Sequence, residues 1–165
     1  MTTLAEVNPR FSDLLRDPAA LLAFGFGSGL APWVPGTIGT LTASPFYLLA
    51  AHYLTLPYYI VMLVLTFLLG IYFCHRTARK LGVHDHGGIV WDEFVGYWLT
   101  MIAVPLEWHW VLVGFVLFRI FDMIKPWPIG LIDRRVGGGF GIMLDDVLAA
   151  VPAALCLQAL VYLTG

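Results

Sequence analysis

Charge is what this sequence has least of. Of its 165 residues, 12% are Asp, Glu, Lys or Arg, against about 25% in an ordinary soluble domain. From Pro18 to His75 none occurs. Hydrophobic residues make up 59%. A soluble domain of this size keeps too much surface exposed to hide that share of apolar material, so lipid must cover the remainder. The formal net charge of −2 leaves no basic footprint for nucleic acid. Cysteine is scarce as well. Cys74 and Cys156 stand in apolar stretches without metal-ligand spacing and read as packing residues. No strand-like alternation is present, and neither the Lys of a Walker A loop nor a D-x-D-x-[TV], G-x-S-x-G or H-E-x-x-H motif occurs. P-loop nucleotide binding, phosphoaspartate hydrolases of the common strand-borne kind, serine hydrolases and zincins are thereby set aside. The motif sets of the His-nucleophile lipid phosphatases and of the CDP-alcohol transferases are missing too. The chain does not open on the basic-then-apolar pattern of a cleavable leader: Glu6, Arg10, Asp13, Arg16 and Asp17 make residues 1–20 a polar, amphipathic segment.

What is present is a set of apolar helices. The uncharged run from Pro57 to Cys74 is long enough to cross about 30 Å of hydrocarbon at about 1.5 Å per residue. The run from Val147 to Thr164 reads the same way. Between them, Phe94 to Phe118 holds one charged residue, Glu107, beside Pro105 and among Trp108, His109 and Trp110. Pro with Glu is costly in mid-membrane and Trp favours the interface. A hairpin of two short helices, about 94–104 and 108–121, is therefore expected, with one long helix kinked at Pro105 as the alternative. A further helix over about 38–54 pairs with 57–75. The fold class is all-α: a single domain over 1–165, a polytopic membrane bundle of about five embedded helices, two of them short. Orientation follows from Arg10, Arg16, Arg76, Arg79, Lys80, Lys125, Arg134 and Arg135, which five crossings place on one side. Lys and Arg mark the cytoplasmic face, so the N-terminus is expected inside. Asp85, Asp92, Glu93, Asp122, Asp133, Asp145 and Asp146 fall on the same side and form a carboxylate-rich layer.

Four clusters carry the chemistry. Pro32–Thr40, with Pro35, Gly36, Thr37, Gly39 and Thr40, is a Gly-rich turn into a helix. On its own it is a tight turn; its backbone N–H groups also suit a phosphate. His84–Glu93 contains His84, Asp85, His86, Asp92 and Glu93. Acids at a helix start complement the macrodipole, and carboxylates are also the ligands Mg²⁺ prefers; the histidines suit ligation or proton transfer. In Arg119–Pro128, Arg119 and Asp122 stand i, i+3 on one helix face, as an ion pair would. Lys125 there is placed to neutralise a phosphate. In Gly137–Asp146, a flexible Gly run leads into the last helix; an N-cap role would account for Asp145 alone, and the pair Asp145–Asp146 suits paired-metal or metal-plus-base chemistry. Paired acids next to an uncharged span are functional candidates.

Together the clusters resemble the phosphatidylglycerophosphatase A family. The carrying motifs are G-x-G-x-x-P-x-x-P-G-T-x-G-T from Gly27, H-D-H-G-x-I-V-W-D-E from His84, D-x-x-K-P-W-P from Asp122 and G-G-x-G-I-M-x-D-D from Gly138. Thr40 stands where many members are expected to carry Ser. The resemblance implies a bacterial inner-membrane, Mg²⁺-dependent enzyme with an all-helical fold of its own. It would hydrolyse phosphatidylglycerophosphate to phosphatidylglycerol and inorganic phosphate in phospholipid biosynthesis. On this reading Asp92, Glu93, Asp122, Asp145 and Asp146, with Asp85, hold metal or act on water, and Lys125 and Arg119 offset charge. Pro35–Thr40, His84 and His86 meet the substrate. Direct water attack and a phosphoaspartyl intermediate are both open. A small cation transporter, with acids lining a pathway, and a non-catalytic scaffold are the competing classes.

Overall fold

The computed structural model describes residues 8–83, 86–125, 127, 130 and 136–164. His84, Asp85, Asp133, Arg134 and Arg135 lie outside the described residues, which contain helices and no strand. Two short N-terminal helices, α1 (Phe11–Leu14) and α2 (Pro18–Ala23), lead through a 3₁₀ segment (Gly25–Leu30) to five longer elements. These are α3 (Pro35–Tyr53), α4 (Leu56–Leu81), α5 (Trp91–Thr100), α6 (Trp108–Ile124) and α7 (Gly138–Thr164). Pro at the first turn sets the starts of α2, α3 and α4, where a missing N–H costs nothing. Gly82, in the left-handed conformation, ends α4.

The expected elements are all present, but their bounds move. The expected pair of helices with a break between them is present, and the single kinked helix is not: α5 stops at Thr100 and α6 starts at Trp108. α5 begins at Trp91, so Asp92 and Glu93 lie inside its first turn. α7 begins at Gly138, two turns before Asp145, which is therefore an interior helix residue and not an N-cap. The Gly run is not a flexible lead-in. A Cβ at Gly139 would fall 2.0 Å from the Ile71 carbonyl oxygen, so the run is a close-packed seam between α7 and α4. Cys74 is buried, with its thiol 3.8 Å from the Met143 sulfur, as a packing residue would be; Cys156 is exposed.

Among the described residues two helices, α4 and α7, are long and apolar enough to cross a membrane. The outward faces of the bundle carry Leu41, Leu49, Ile60, Val64, Leu68, Leu112, Val116 and Leu155 exposed. α5 is different: Phe94, Val95, Gly96, Tyr97 and Trp98 are all buried, because the other four long helices surround it. Its aromatic side chains fasten it to its neighbours. The Trp91 indole N–H donates to Thr66 O on α4 (3.1 Å), Trp98 to Ala43 O on α3 (3.0 Å), and the Tyr97 hydroxyl to Val111 O on α6 (3.1 Å). Each ring fills apolar space while its donor finds an acceptor.

Asp17 ties the N-terminal helices to α4. It caps α2 through Ala20 N (3.4 Å), accepts from Lys80 (2.9 Å) and pairs with Arg76. Burial pushes its carboxyl up, but hydrogen bonds from Lys80 and Arg76 outweigh this and hold it at about 2, below the ordinary 3.8. The stabilisation is therefore complete above about pH 4 and is lost as pH falls towards 2. The difference in thermal stability between the protein and Asp17→Asn, measured in detergent, should be constant above that range and shrink below it. In the same assay Gly139→Ala should destabilise by about 1–3 kcal/mol, since backbone must move. Gly87→Ala, where an added Cβ meets nothing within 4 Å, should stay within about 0.5 kcal/mol.

Candidate active site

The first turns of α3 and α5, the last turn of α6 and the third turn of α7 meet at one end of the bundle. Asp92 and Glu93 come from α5, Arg119 and Asp122 from α6, Lys125 from the residue that ends α6, and Asp145 and Asp146 from α7. One ligand oxygen each of Asp92, Glu93 and Asp146 lie within 4.8 Å of one another, and so do those of Asp122, Asp145 and Asp146. Asp122, Asp145 and Asp146 are buried. The expected i, i+3 pair of Arg119 with Asp122 is formed, and Arg119 Nη1 also lies 3.8 Å from Glu93 Oε1. Lys125 pairs with Asp145. Lys125 adopts a left-handed backbone (φ 45°) to end α6, and Val34, just before α3, does the same (φ 45°). Such conformations cost about 1–3 kcal/mol in non-Gly residues and gather at functional sites.

The Gly-rich turn is brought to the carboxylates. A Cβ at Gly36 would fall 2.1 Å from Glu93 Oε1 and 3.2 Å from Arg119 Nη1, so any side chain there would displace the Glu93 carboxylate. The N–H groups of Gly36 and Thr37 precede the first helical hydrogen bond, which Ile38 donates to Val34 O at 3.1 Å. Pro35 opens the helix. Gly39 packs on Val90, and Thr40 is fully buried with its hydroxyl donating to Gly36 O at 2.8 Å. These two hold the turn in place. His86 is buried against the Phe24 ring; its Nδ1 accepts from Gly88 N at 3.0 Å, its Nε2 has no hydrogen-bond partner among the described residues, and it joins neither carboxylate trio. His84 and Asp85 fall outside the described residues.

Sequence reasoning missed Gly96. It lies one turn beyond Asp92 and Glu93, and an added Cβ would fall 2.7 Å from the Phe118 ring and 3.1 Å from Asp146 Cβ. A Gly at i+3 or i+4 from paired acids inside an apolar helix is the signal that would have found it.

The donor set is all oxygen. Glu93 Oε2 and Asp146 Oδ2 are buried with no hydrogen-bond partner among the described residues. Buried acceptors of this kind are costly unless something satisfies them, and hard oxygen ligands suit Mg²⁺. The residues fit such an ion.

The family model for Phosphatidylglycerophosphatase A matches residues 21–161, which span the whole of this site. The chain belongs to the phosphatidylglycerophosphatase A family. It is 52% identical over 153 residues to phosphatidylglycerophosphatase A of Escherichia coli (strain K12), covering 88% of each chain. To the Haemophilus influenzae protein of that name it is 46% identical over 160 residues, 96% of this chain and 98% of the relative. A Bacteroides thetaiotaomicron protein, named provisionally as a phosphatidylinositol-3-phosphatase, is 36% identical over 88% of this chain and 94% of its own. No solved structure matches. Membership of the phosphatidylglycerophosphatase A family makes the chain a phosphatase, and the transporter and scaffold alternatives fall.

Gly36→Ala tests the meeting of α3 with Glu93. The clash is with a side-chain tip, so folding should survive. Displacing that carboxylate by about 1 Å should lower turnover on the order of 10²-fold, measured as phosphate release from lipid by protein of unchanged thermal stability.

Proposed function

We propose that the protein hydrolyses the terminal phosphate of phosphatidylglycerophosphate, giving phosphatidylglycerol and inorganic phosphate, with Mg²⁺ held by Asp92, Glu93, Asp122, Asp145 and Asp146. The observation that carries this is the convergence of the α5 and α7 acids, with unsatisfied buried oxygens on Glu93 and Asp146. It occurs in a chain whose family and curated relatives are named for that reaction. The third relative, named for a different lipid, shares a phosphomonoester on a phospholipid.

Bound there, Mg²⁺ supplies a Lewis acid for phosphate oxygens and acidifies water. The chain's own groups do the rest. The N–H groups of Gly36 and Thr37 orient the phosphate at a helix N-terminus. Lys125 and Arg119 offset charge as it moves to the leaving oxygen. Burial of the acids keeps bulk water from competing.

The site belongs, on this reading, at the cytoplasmic face of a bacterial inner membrane, with α3 to α7 all embedded and the N-terminus inside. The supports are the exposed apolar faces of the bundle, the exposed Tyr53, Tyr58 and Trp108 at the end away from the site, and Trp33 and Trp127 near it. Aromatics of this kind favour both interfaces. Arg76, Arg79, Lys80 and Lys125 all lie at the site end, where the head group of an inner-leaflet lipid would meet the carboxylates.

Purified protein in detergent should release phosphate from phosphatidylglycerophosphate with Mg²⁺ and stop in EDTA. Asp146→Asn should lose at least about 10²-fold, the scale on which lost electrostatic stabilisation shows. Folded protein that turns over unchanged in EDTA ends the metal reading.

A further inference from the structure

Two cations share the Asp17 carboxylate, and it neutralises only one of them. Arg76 and Lys80 stand i, i+4 on α4, both pair with Asp17, and their side chains remain 46% and 62% exposed. Arg16, beside Asp17 in the chain, is exposed and makes no ion pair among the described residues. All four side chains line one groove of about 530 Å³ between α2 and α4. Three positive charges there face one negative charge, which leaves two over. The rest of the wall is apolar: Leu22 from α2, and Tyr72 and Phe73 from α4, their rings edge to face at 5.9 Å. Tyr72 is exposed and precedes Arg76 by one turn, about 6 Å at about 1.5 Å per residue. It lies on the side of the uncharged run of α4. The groove is therefore basic towards the end of α4 and apolar towards its middle. None of the five carboxylates of the active site lines it.

We infer that this groove holds an anionic phospholipid other than the substrate, its head-group phosphate among Arg16, Arg76 and Lys80 and an acyl chain against Leu22, Tyr72 and Phe73. The inference goes beyond the hydrolysis proposed above and takes from it only the membrane setting. The groove matches such a molecule in sign and in order. Basic pockets between membrane helices attract anionic head groups, and the planar guanidinium forks of Arg16 and Arg76 suit phosphate oxygens. One turn deeper, where a lipid turns from head group to chain, the wall turns from cations to a Tyr ring, a residue that favours the interface. A free anion would meet the cations and leave the apolar wall uncovered. A zwitterionic lipid would cover the wall and bring no net charge for the surplus. The phosphate would join Arg16, just before α2, to Arg76 and Lys80 on α4, across the same junction that Asp17 already ties. The unfolded chain has no such groove, so the lipid favours the folded state and its binding is read as stability.

Full-length protein in detergent is titrated with dioleoylphosphatidylserine, which is anionic and carries no phosphomonoester, while its unfolding midpoint is followed. Dioleoylphosphatidylcholine and inorganic phosphate are the controls. The serine lipid should raise the midpoint by about 5 °C at saturation, and neither control should do so at the same concentration. The rise should persist in Asp146→Asn, a change confined to the active site. Arg16→Gln breaks no ion pair among the described residues and should move the titration about fivefold to higher lipid, the weight of one basic residue at a membrane surface. Tyr72→Glu, at an exposed position one turn before Arg76, offers that cation a carboxylate of the chain's own and should abolish the rise. Equal rises with both lipids, an equal rise with inorganic phosphate, or an Arg16→Gln titration that matches the unaltered protein overturns the lipid site. A rise lost in Asp146→Asn also overturns it, because the lipid then occupies the active site. Phosphate release from phosphatidylglycerophosphate is measured separately, so none of these outcomes decides the hydrolysis.

Discussion

Asp146 reaches Asp92 and Glu93 because α5 carries no side chain at Gly96, one turn further along the same face. With a Cβ there, the Phe118 ring and the Asp146 backbone would both have to retreat. In membrane bundles small residues let backbones approach in this way. Here the approach sets the separation of charged groups instead of simply filling space. The aromatic pins act in the same direction. Trp91, Trp98 and Tyr97 fix α5 against α4, α3 and α6, so its first turn cannot slide without breaking hydrogen bonds that have no water to replace them. The position of two acids is thus encoded in apolar and aromatic packing a full turn or more away.

Packing so many carboxylates together is tolerable only because their compensation is shared. Arg119 faces both Glu93 and Asp122, and Asp146 belongs to both trios. Groups connected in this fashion do not contribute independently, and removal of one leaves others buried without their counter-charge. The network therefore behaves as one unit.

Much of this was legible in the sequence. An all-helical chain, the break at Pro105, the facing of Arg119 with Asp122, and the four motifs all follow from composition, spacing and resemblance. The boundaries of α5 and α7 were not. Acids and glycines inside an apolar helix read as its end, because both disfavour helix in isolation. What overrides that preference is tertiary: Gly139 lies against the Ile71 carbonyl, and Asp145 and Asp146 face other charges instead of lipid. For the same reason Thr40 and His86 looked like groups for a ligand. Each is a polar residue in a motif, and only the fold shows that Gly36 O engages the Thr40 hydroxyl and Gly88 N one nitrogen of the His86 ring. Gly96 was invisible for the opposite reason: one glycine in an apolar helix announces nothing until its neighbours are known.

The left-handed backbone at Lys125 has a consequence of its own. Glycine would end α6 there with less strain, and so would asparagine to a smaller degree. Neither carries an ammonium group to Asp145. A search for hardier variants would find relief at this position and discard the charge along with the strain, so durability and turnover select opposite residues at a single cap.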